Sequence, residues 1–494
     1  MTTRIRRLVL AVLSLVACDA AIAAEEAVAG KVVLEAYSFR AFDATEVPAE
    51  LGKLWVRENR GGTSKRLIQV AFVRLKSTAE RPGSPIVFLA GGPGVPGIGM
   101  GRVPVYFRLF QQLRSVADVV LLDQRGIGMS SPALDCPATP VPGDVFASSA
   151  KWLEVLTRKS RSCAADWRAK GVDVAAYTND ASADDLDDLR QALGAERISL
   201  IGHSYGTLLA QAAVRRHGSH VERVVFAGTE GADELVALPG VWDGLIRKLG
   251  YFASEDASVN QLVPDLEALF RRVLEKLERK PLTLAITQPD TKATVDVVVG
   301  PIGLQWLLRN GMSDARTYAR LPALLYTIDR GDLSLLTRAI APLHRAMQGR
   351  SPMANAVDCS IGWSAARVAA AARETPGALF SNVNLQRTAE LCSAVGLKPH
   401  DPSLQPRLFS RVPALFVSGT LDANTPPFQA EAVRWGFPDS THLIVENGGH
   451  ETLPSADVQA VIVDFFKGVN VRGRTVAFER PDFVTVEEAK GALR

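Results

Sequence analysis

The sequence predicts an α/β fold in which a mostly parallel central sheet carries helices on both faces and is interrupted late by a helical cap insertion. Three observations predict it. Short runs that are apolar throughout recur along the chain, at 86–90, 119–122, 198–201, 224–227, 414–417 and 442–445, and each runs into a turn rich in glycine or polar residues. Unbroken apolar runs suit strands covered on both faces, whereas half-exposed strands alternate. Helical patterns lie between several of them, and strand–helix alternation is the signature of parallel sheets. The alternation lapses between about residue 235 and residue 410 and resumes at Ala414.

The elements follow in order. The first residues read as a leader. Arg4, Arg6 and Arg7 precede an apolar run at 8–17 that is too short to span a bilayer, and small residues follow at 20–24. Residues 1–24 are therefore expected to be a signal peptide of an exported, periplasmic or secreted protein. Two processing routes are open. Ala21-Ile22-Ala23 resembles a signal-peptidase site, and Leu15-Val16-Ala17-Cys18 resembles a lipobox that would put a lipid anchor on Cys18. Residues 31–76 read as short strands, with Gly61-Gly62 as a turn. The segment 183–193 is acidic at its start, and 208–217 is apolar and then basic at its end. Both gradients suit a helix dipole. The expected organisation is a sheet domain from 25–234 and 411–494, with 235–410 inserted as a cap over the strand ends, where ligands of open α/β sheets bind.

Composition excludes more than it selects. The chain has 494 residues, 47% hydrophobic and 22% charged, with 56 Lys and Arg against 53 Asp and Glu. That is an ordinary globular composition, and a formal net charge of +3 gives no reason to expect a nucleic-acid partner. Either processing route removes Cys18 from the free thiols and leaves Cys136, Cys163, Cys359 and Cys392. Four cysteines allow three pairings. Proximity favours Cys136 with Cys163 and Cys359 with Cys392, and four buried thiols are the alternative. No Cys-x-x-Cys or His/Cys spacing suggests a metal, and no cofactor is expected.

The chemistry centres on Gly202-His203-Ser204-Tyr205-Gly206. The pattern G-x-S-x-G alone turns up by chance in roughly one chain in five to ten of this length, so its context decides. A strand pattern enters it and a helix pattern leaves it. That is a nucleophile elbow, and it makes the expected fold an α/β-hydrolase fold with Ser204 as nucleophile. A serine hydroxyl needs a base. Of seven histidines, His450 follows the last core run in a glycine turn, where a loop can deliver it to the serine. His203 is expected to pack inside the elbow and His217 and His220 to face solvent. His344 and His400 lie in the insertion, and His442 lies within a strand. The acid should follow the preceding strand, which points to Asp422, with Asp439 and Glu446 as competitors. Gly91-Gly92-Pro93-Gly94 is expected to direct the Gly92 N–H at an oxyanion, with the Tyr205 N–H as second donor. No Gly-Lys-Ser/Thr follows these glycines, so they are not a phosphate loop.

Taken in order, Gly91 to Gly94, the segment 123–130 (Asp-Gln-Arg-Gly-Ile-Gly-Met-Ser), Gly202 to Thr207, Ser418 to Asp422 with Thr425-Pro426, and Gly448-Gly449-His450 resemble the prolyl-iminopeptidase and tripeptidyl-aminopeptidase family. Tyr177-Thr178, the stretch 185–190 and the cysteine arrangement resemble its exported tripeptidyl-aminopeptidase branch. The resemblance covers nearly the whole mature chain. It implies removal of residues from peptide N-termini by a serine mechanism, without metal or cofactor. Ala90-Gly91 stands where the iminopeptidases usually have His-Gly. The family's acid shortly after the first cap cysteine is replaced by Ser360-Ile361-Gly362, and Asp358 precedes Cys359 instead. Carboxylates must hold the substrate ammonium in such an enzyme. Glu230 and Asp358 lead the candidates, with Asp233 and Glu234 beside them. An esterase or lactone hydrolase acting on small-molecule esters is the first alternative, because one fold and one triad host many substrates. A binding protein on a hydrolase scaffold is the second, and it would not need serine, acid, histidine and oxyanion donors together.

Overall fold

A computed structural model describes residues 28–136, 139–288, 292–349 and 351–491. The leader, the processing sites and Cys18 lie outside the described residues. Among the described residues twelve strands run in chain order: β1 (Val32–Arg40), β2 (Glu46–Arg57), β3 (Leu67–Leu75), β4 (Gly83–Leu89), β5 (Ala117–Asp123), β6 (Ile198–His203), β7 (Val221–Ala227), β8 (Leu282–Thr287), β9 (Thr294–Val299), β10 (Ala414–Gly419), β11 (Ser440–Glu446) and β12 (Val476–Ala477). Ten of them form one sheet in the order β1-β2-β3-β5-β4-β6-β7-β10-β11-β12. The pairs from β1 to β3 and from β3 to β5 are antiparallel. From β5 through β4, β6, β7, β10 and β11 to β12 every pair is parallel.

The six apolar runs are β4, β5, β6, β7, β10 and β11. Successive residues point to opposite faces of a strand; in β4 to β7 and β10 both faces are covered, whereas β11 alternates and leaves Ile444 exposed. Val87, Leu89, Val120, Leu122 and Leu200 join an apolar cluster on one face. Ile86, Phe88, Val119, Leu121 and Ile201 join another on the other face. Helices 179–192 and 205–217 close the first, and helices 104–113 and 456–466 the second. The Thr178 side chain caps the helix Asn179–Ala192, which carries Asp180 in its first turn and Arg190 in its last. The helix thus starts four residues before the 183 expected from the charge gradient, where Thr178 caps it, and stops one residue before 193.

Between β7 and β10 the chain builds a block of helices, including Pro239–Glu255, Leu266–Arg279, Pro301–Gly311, Leu321–Asp329 and Ser334–Gly349. It has its own apolar core around Trp242, Ile246, Phe270, Val297 and Trp306. Two features lie beyond the helical reading. The block contains the antiparallel hairpin β8–β9. Its core also recruits Val145, Phe146, Trp152 and Val155 from the connection between β5 and β6. That connection is pinned to the hairpin by Val298 N–H to Gly143 O at 2.8 Å and Gly300 N–H to Phe146 O at 2.9 Å. Disulfides join Cys136 to Cys163 and Cys359 to Cys392.

Candidate active site

Ser204 stands between the end of β6 and the helix Tyr205–His217, with φ 55° and ψ −125°. A serine in that conformation is strained and persists only where its surroundings over-determine it. The surroundings are close backbone. A Cβ on Gly202 would lie 2.5 Å from Gly206 O, and one on Gly206 would lie 2.0 Å from Leu89 O. The helix is buried from Tyr205 to Val214 and ends on Arg215, Arg216 and His217, so its dipole is set with the positive end beneath Ser204. Tyr205 is the first helical residue, and its N–H has no partner within the helix. Its side chain points away, with the hydroxyl donating to Asn179 Oδ1 at 3.1 Å.

Asp422 and His450 come together although 28 residues separate them. His450 Nδ1 lies 2.8 Å from Asp422 Oδ2. The same oxygen accepts from Thr425 Oγ1 at 2.6 Å, and Oδ1 accepts from the N–H groups of Asn424 at 2.8 Å and Thr425 at 3.0 Å. The carboxylate is therefore fixed by a turn of its own loop. Burial alone would raise the Asp422 carboxyl, but the charge and hydrogen bond of His450 and the Thr425 donors hold it below its ordinary value. Burial disfavours charge on His450 in turn. Asp422 outweighs it, Glu451 and Glu230 add to it, and the imidazole is pushed up to about 9. Gly228, with φ +61°, clears the space beside this pair, since a Cβ there would sit 3.1 Å from His450 Cε1.

Ser204 and His450 line a cavity of about 690 Å³ together with Gly91, Gly92, Gly94, His203, Glu230, Glu234, Arg309, Arg387 and Glu451. Gly91 packs on the serine so closely that a Cβ would come within 2.9 Å of Ser204 Cβ. Glu230 is buried, and its Oε2 has no hydrogen-bond partner among the described residues. Its Oε1 lies 3.7 Å from Arg387, whose Nε lies 3.4 Å from Asp358 Oδ2. Burial raises the Glu230 carboxyl, Arg387 opposes this and Asp358 reinforces it, for a net upward shift. Asp358 does not line the cavity, which departs from its expected place beside Glu230. Its helix, Met353–Ile361, turns it onto Arg387 instead. Asp233 accepts hydrogen bonds from Ser364, from its N–H at 2.8 Å and its Oγ at 2.5 Å, and Glu234 pairs with Arg367.

The competitors lie elsewhere. Asp439 pairs with Arg472 on the surface, and Glu446 is exposed. His442 contacts Glu431 and lies 2.9 Å from Ser418 Oγ. His217 and His220 are bound to Asp184 at 2.8 Å and Asp187 at 2.7 Å. Asp187, His217 and His220 bring ligand atoms within 4.8 Å of one another, a grouping no sequence spacing announced. Arg190 and Arg216 already pair with these carboxylates, which opposes a cation there. Sequence reasoning missed Arg387 and Glu451. Arg387 sits in an irregular stretch with no motif, whereas Glu451, next to His450, was open to inspection.

The sheet order and the elbow define an α/β-hydrolase fold. A family model described as alpha/beta hydrolase fold matches residues 84–292, and one described as TAP-like protein matches residues 377–474. The chain is 29% identical over 173 residues to YuaR of Escherichia coli (strain K12), covering 34% of this chain and 32% of that protein. It is 28% identical over 192 residues to the tripeptidyl aminopeptidase of Streptomyces coelicolor, covering 36% and 34%. It is 26% identical over 185 residues to serine protease Hip1 of Mycobacterium tuberculosis (strain ATCC 25618 / H37Rv), covering 36% and 35%. The chain thus has an α/β-hydrolase fold with a TAP-like C-terminal part and distant homology to tripeptidyl aminopeptidases and Hip1. Each match spans about a third of the relative's length.

Proposed function

We propose that this chain is an exported serine aminopeptidase that releases residues or short peptides from free peptide N-termini. Ser204 Oγ attacks the scissile carbonyl carbon while His450 takes its proton, with Asp422 holding the imidazole by Nδ1. The N–H groups of Gly92 and Tyr205 receive the oxyanion. His450 then returns the proton to the leaving amine. Water, deprotonated by the same imidazole, releases the N-terminal fragment from Ser204.

The observation that carries the peptide reading is the unpartnered Glu230 Oε2 on the wall that Ser204 and His450 share. A buried carboxylate with one free oxygen suits an arriving ammonium, which supplies the hydrogen bond and the charge that Arg387 leaves missing. Asp358 acts on that subsite through Arg387 and not on the substrate itself. The likeness to tripeptidyl aminopeptidases supports the same reading. Two disulfides support an oxidising compartment. Among the described residues no helix is long and apolar enough to cross a membrane.

The test compares free-amine peptidyl anilides, their N-blocked counterparts and p-nitrophenyl esters, with Ser204→Ala as control. The free-amine substrates should be cleaved at least tenfold faster than the blocked ones, and Glu230→Gln should remove that preference. Equal cleavage of blocked and free substrates would contradict the aminopeptidase reading and favour an esterase.

A further inference from the structure

Glu451 directly follows His450 and lines the same cavity. Its side chain is held from two sides. The Tyr106 hydroxyl donates to Oε2, and the same oxygen lies 3.8 Å from His203 Nε2. The His203 ring is buried, 5.2 Å from the His450 ring and 6.2 Å from the Tyr106 ring. Tyr106 comes from the helix Pro104–Leu113, His203 from β6 and Glu451 from the loop after β11, so three separate elements converge here.

The charges in this cluster can be assigned. Burial pushes His203 down, although the Glu451 charge and the His450 carbonyl favour its proton. Burial would raise Glu451. His203, His450 and the Tyr106 hydroxyl outweigh burial and the repulsion from Asp422, so the carboxyl is held below its ordinary value. Burial and the Glu451 charge push the Tyr106 hydroxyl well up, so it remains a donor. The groups facing His450 are therefore Asp422 and the Thr425 hydroxyl at Nδ1, Glu451, buried Glu230 and His203.

We propose that Glu451 is a positioning residue that, cradled by Tyr106 and His203, favours the imidazolium of His450 from the cavity side, as a second carboxylate besides Asp422. This rests on the reading of His450 as the general base. His203 packs against both partners, its Nε2 3.8 Å from Glu451 Oε2 and its ring 5.2 Å from that of His450. No new bond is made in this role. Glu451 acts by charge on a proton that moves between Ser204 and His450.

The test uses the full chain and the pH dependence of kcat/KM on a free-amine peptidyl anilide and an N-blocked ester. Glu451→Gln keeps the shape and removes the charge. It should move the His450 limb downward by about half a pH unit to one unit on both substrates and lower the limiting rate about tenfold. Tyr106→Phe removes the donor, keeps the charge, and should move the limb less; it serves if Glu451→Gln does not fold. A limb that stays in place in a folded variant overturns the inference. So does an effect on KM confined to the free-amine substrate, which would make Glu451 a ligand of the ammonium. Activity that survives Ser204→Ala would sink the underlying serine mechanism instead, so the two failures are distinguishable.

Discussion

Replacing Asp422 by Asn separates charge and hydrogen-bond polarity from shape. The carboxylate accepts four hydrogen bonds, from His450 Nδ1, Thr425 Oγ1 and the N–H groups of Asn424 and Thr425. An amide offers one acceptor oxygen and one NH₂ group. Two backbone N–H groups cannot turn, so the amide oxygen must stay with Asn424 and Thr425. The NH₂ group then faces the Thr425 hydroxyl, which can rotate to accept, and His450 Nδ1, which must give up its proton. The imidazole proton moves to Nε2, where it can no longer take the serine proton. The comparable change in the chymotrypsin-type triad costs about 10⁴ in kcat, roughly 5 kcal/mol of barrier, and the same loss is expected here. The imidazole, now at about 9, should also fall back towards its ordinary value, removing about 3 kcal/mol of preference for the charged form. The assay is steady-state hydrolysis of a free-amine peptidyl anilide between pH 6 and 10, with circular dichroism melting to confirm the fold. A folded Asp422→Asn enzyme within tenfold of wild-type kcat would refute this account of the pair.

Because His450 is raised above its unfolded value, its charged form stabilises the fold fully below about pH 6.5, and this contribution is lost as pH rises through about 9. Thermal stability of the Ser204→Ala protein should fall across that window while wild-type kcat/KM rises; parallel trends would contradict the assignment. Gly206→Ala places a Cβ 2.0 Å from the Leu89 carbonyl oxygen, which is backbone and cannot step aside. It should cost about 1–3 kcal/mol or more in urea unfolding and abolish turnover, and an unchanged midpoint would count against the elbow geometry. The paired change Cys359→Ala, Cys392→Ala opens a loop of sequence separation 33 and should cost roughly 3–4 kcal/mol by the same measurement. A loss below 1 kcal/mol would mean the cap tether contributes little.

The parts legible in the sequence were those fixed by local rules. Strands buried on both faces leave unbroken apolar runs, which mark β4 to β7 and β10; β11 leaves such a run too although Ile444 is exposed. The elbow was legible because its glycines answer to steric contacts with Leu89 and with each other. What stayed hidden depends on long-range packing. Nothing local in 141–155 says that Phe146 and Trp152 belong to the cap core. The hairpin β8–β9 stays hidden among helical patterns, although five of the six residues from Thr294 to Val299 are β-branched. Asp358 is expected on the substrate from its position before Cys359, and only the fold sets it against Arg387, which lines the cavity. Glu451 shows the opposite case. It lay beside His450 in plain view, and its meaning came from Tyr106 and His203, far away in sequence.

The central claim is that Ser204 is the reacting nucleophile of this cavity. Treatment with a fluorophosphonate, followed by proteolytic digestion and mass mapping, tests it directly. The account predicts one stoichiometric adduct on the peptide containing Ser204, none on folded Ser204→Ala, and a much slower reaction after Asp422→Asn. An adduct on another residue, or no adduct on a correctly folded wild-type protein, would contradict it.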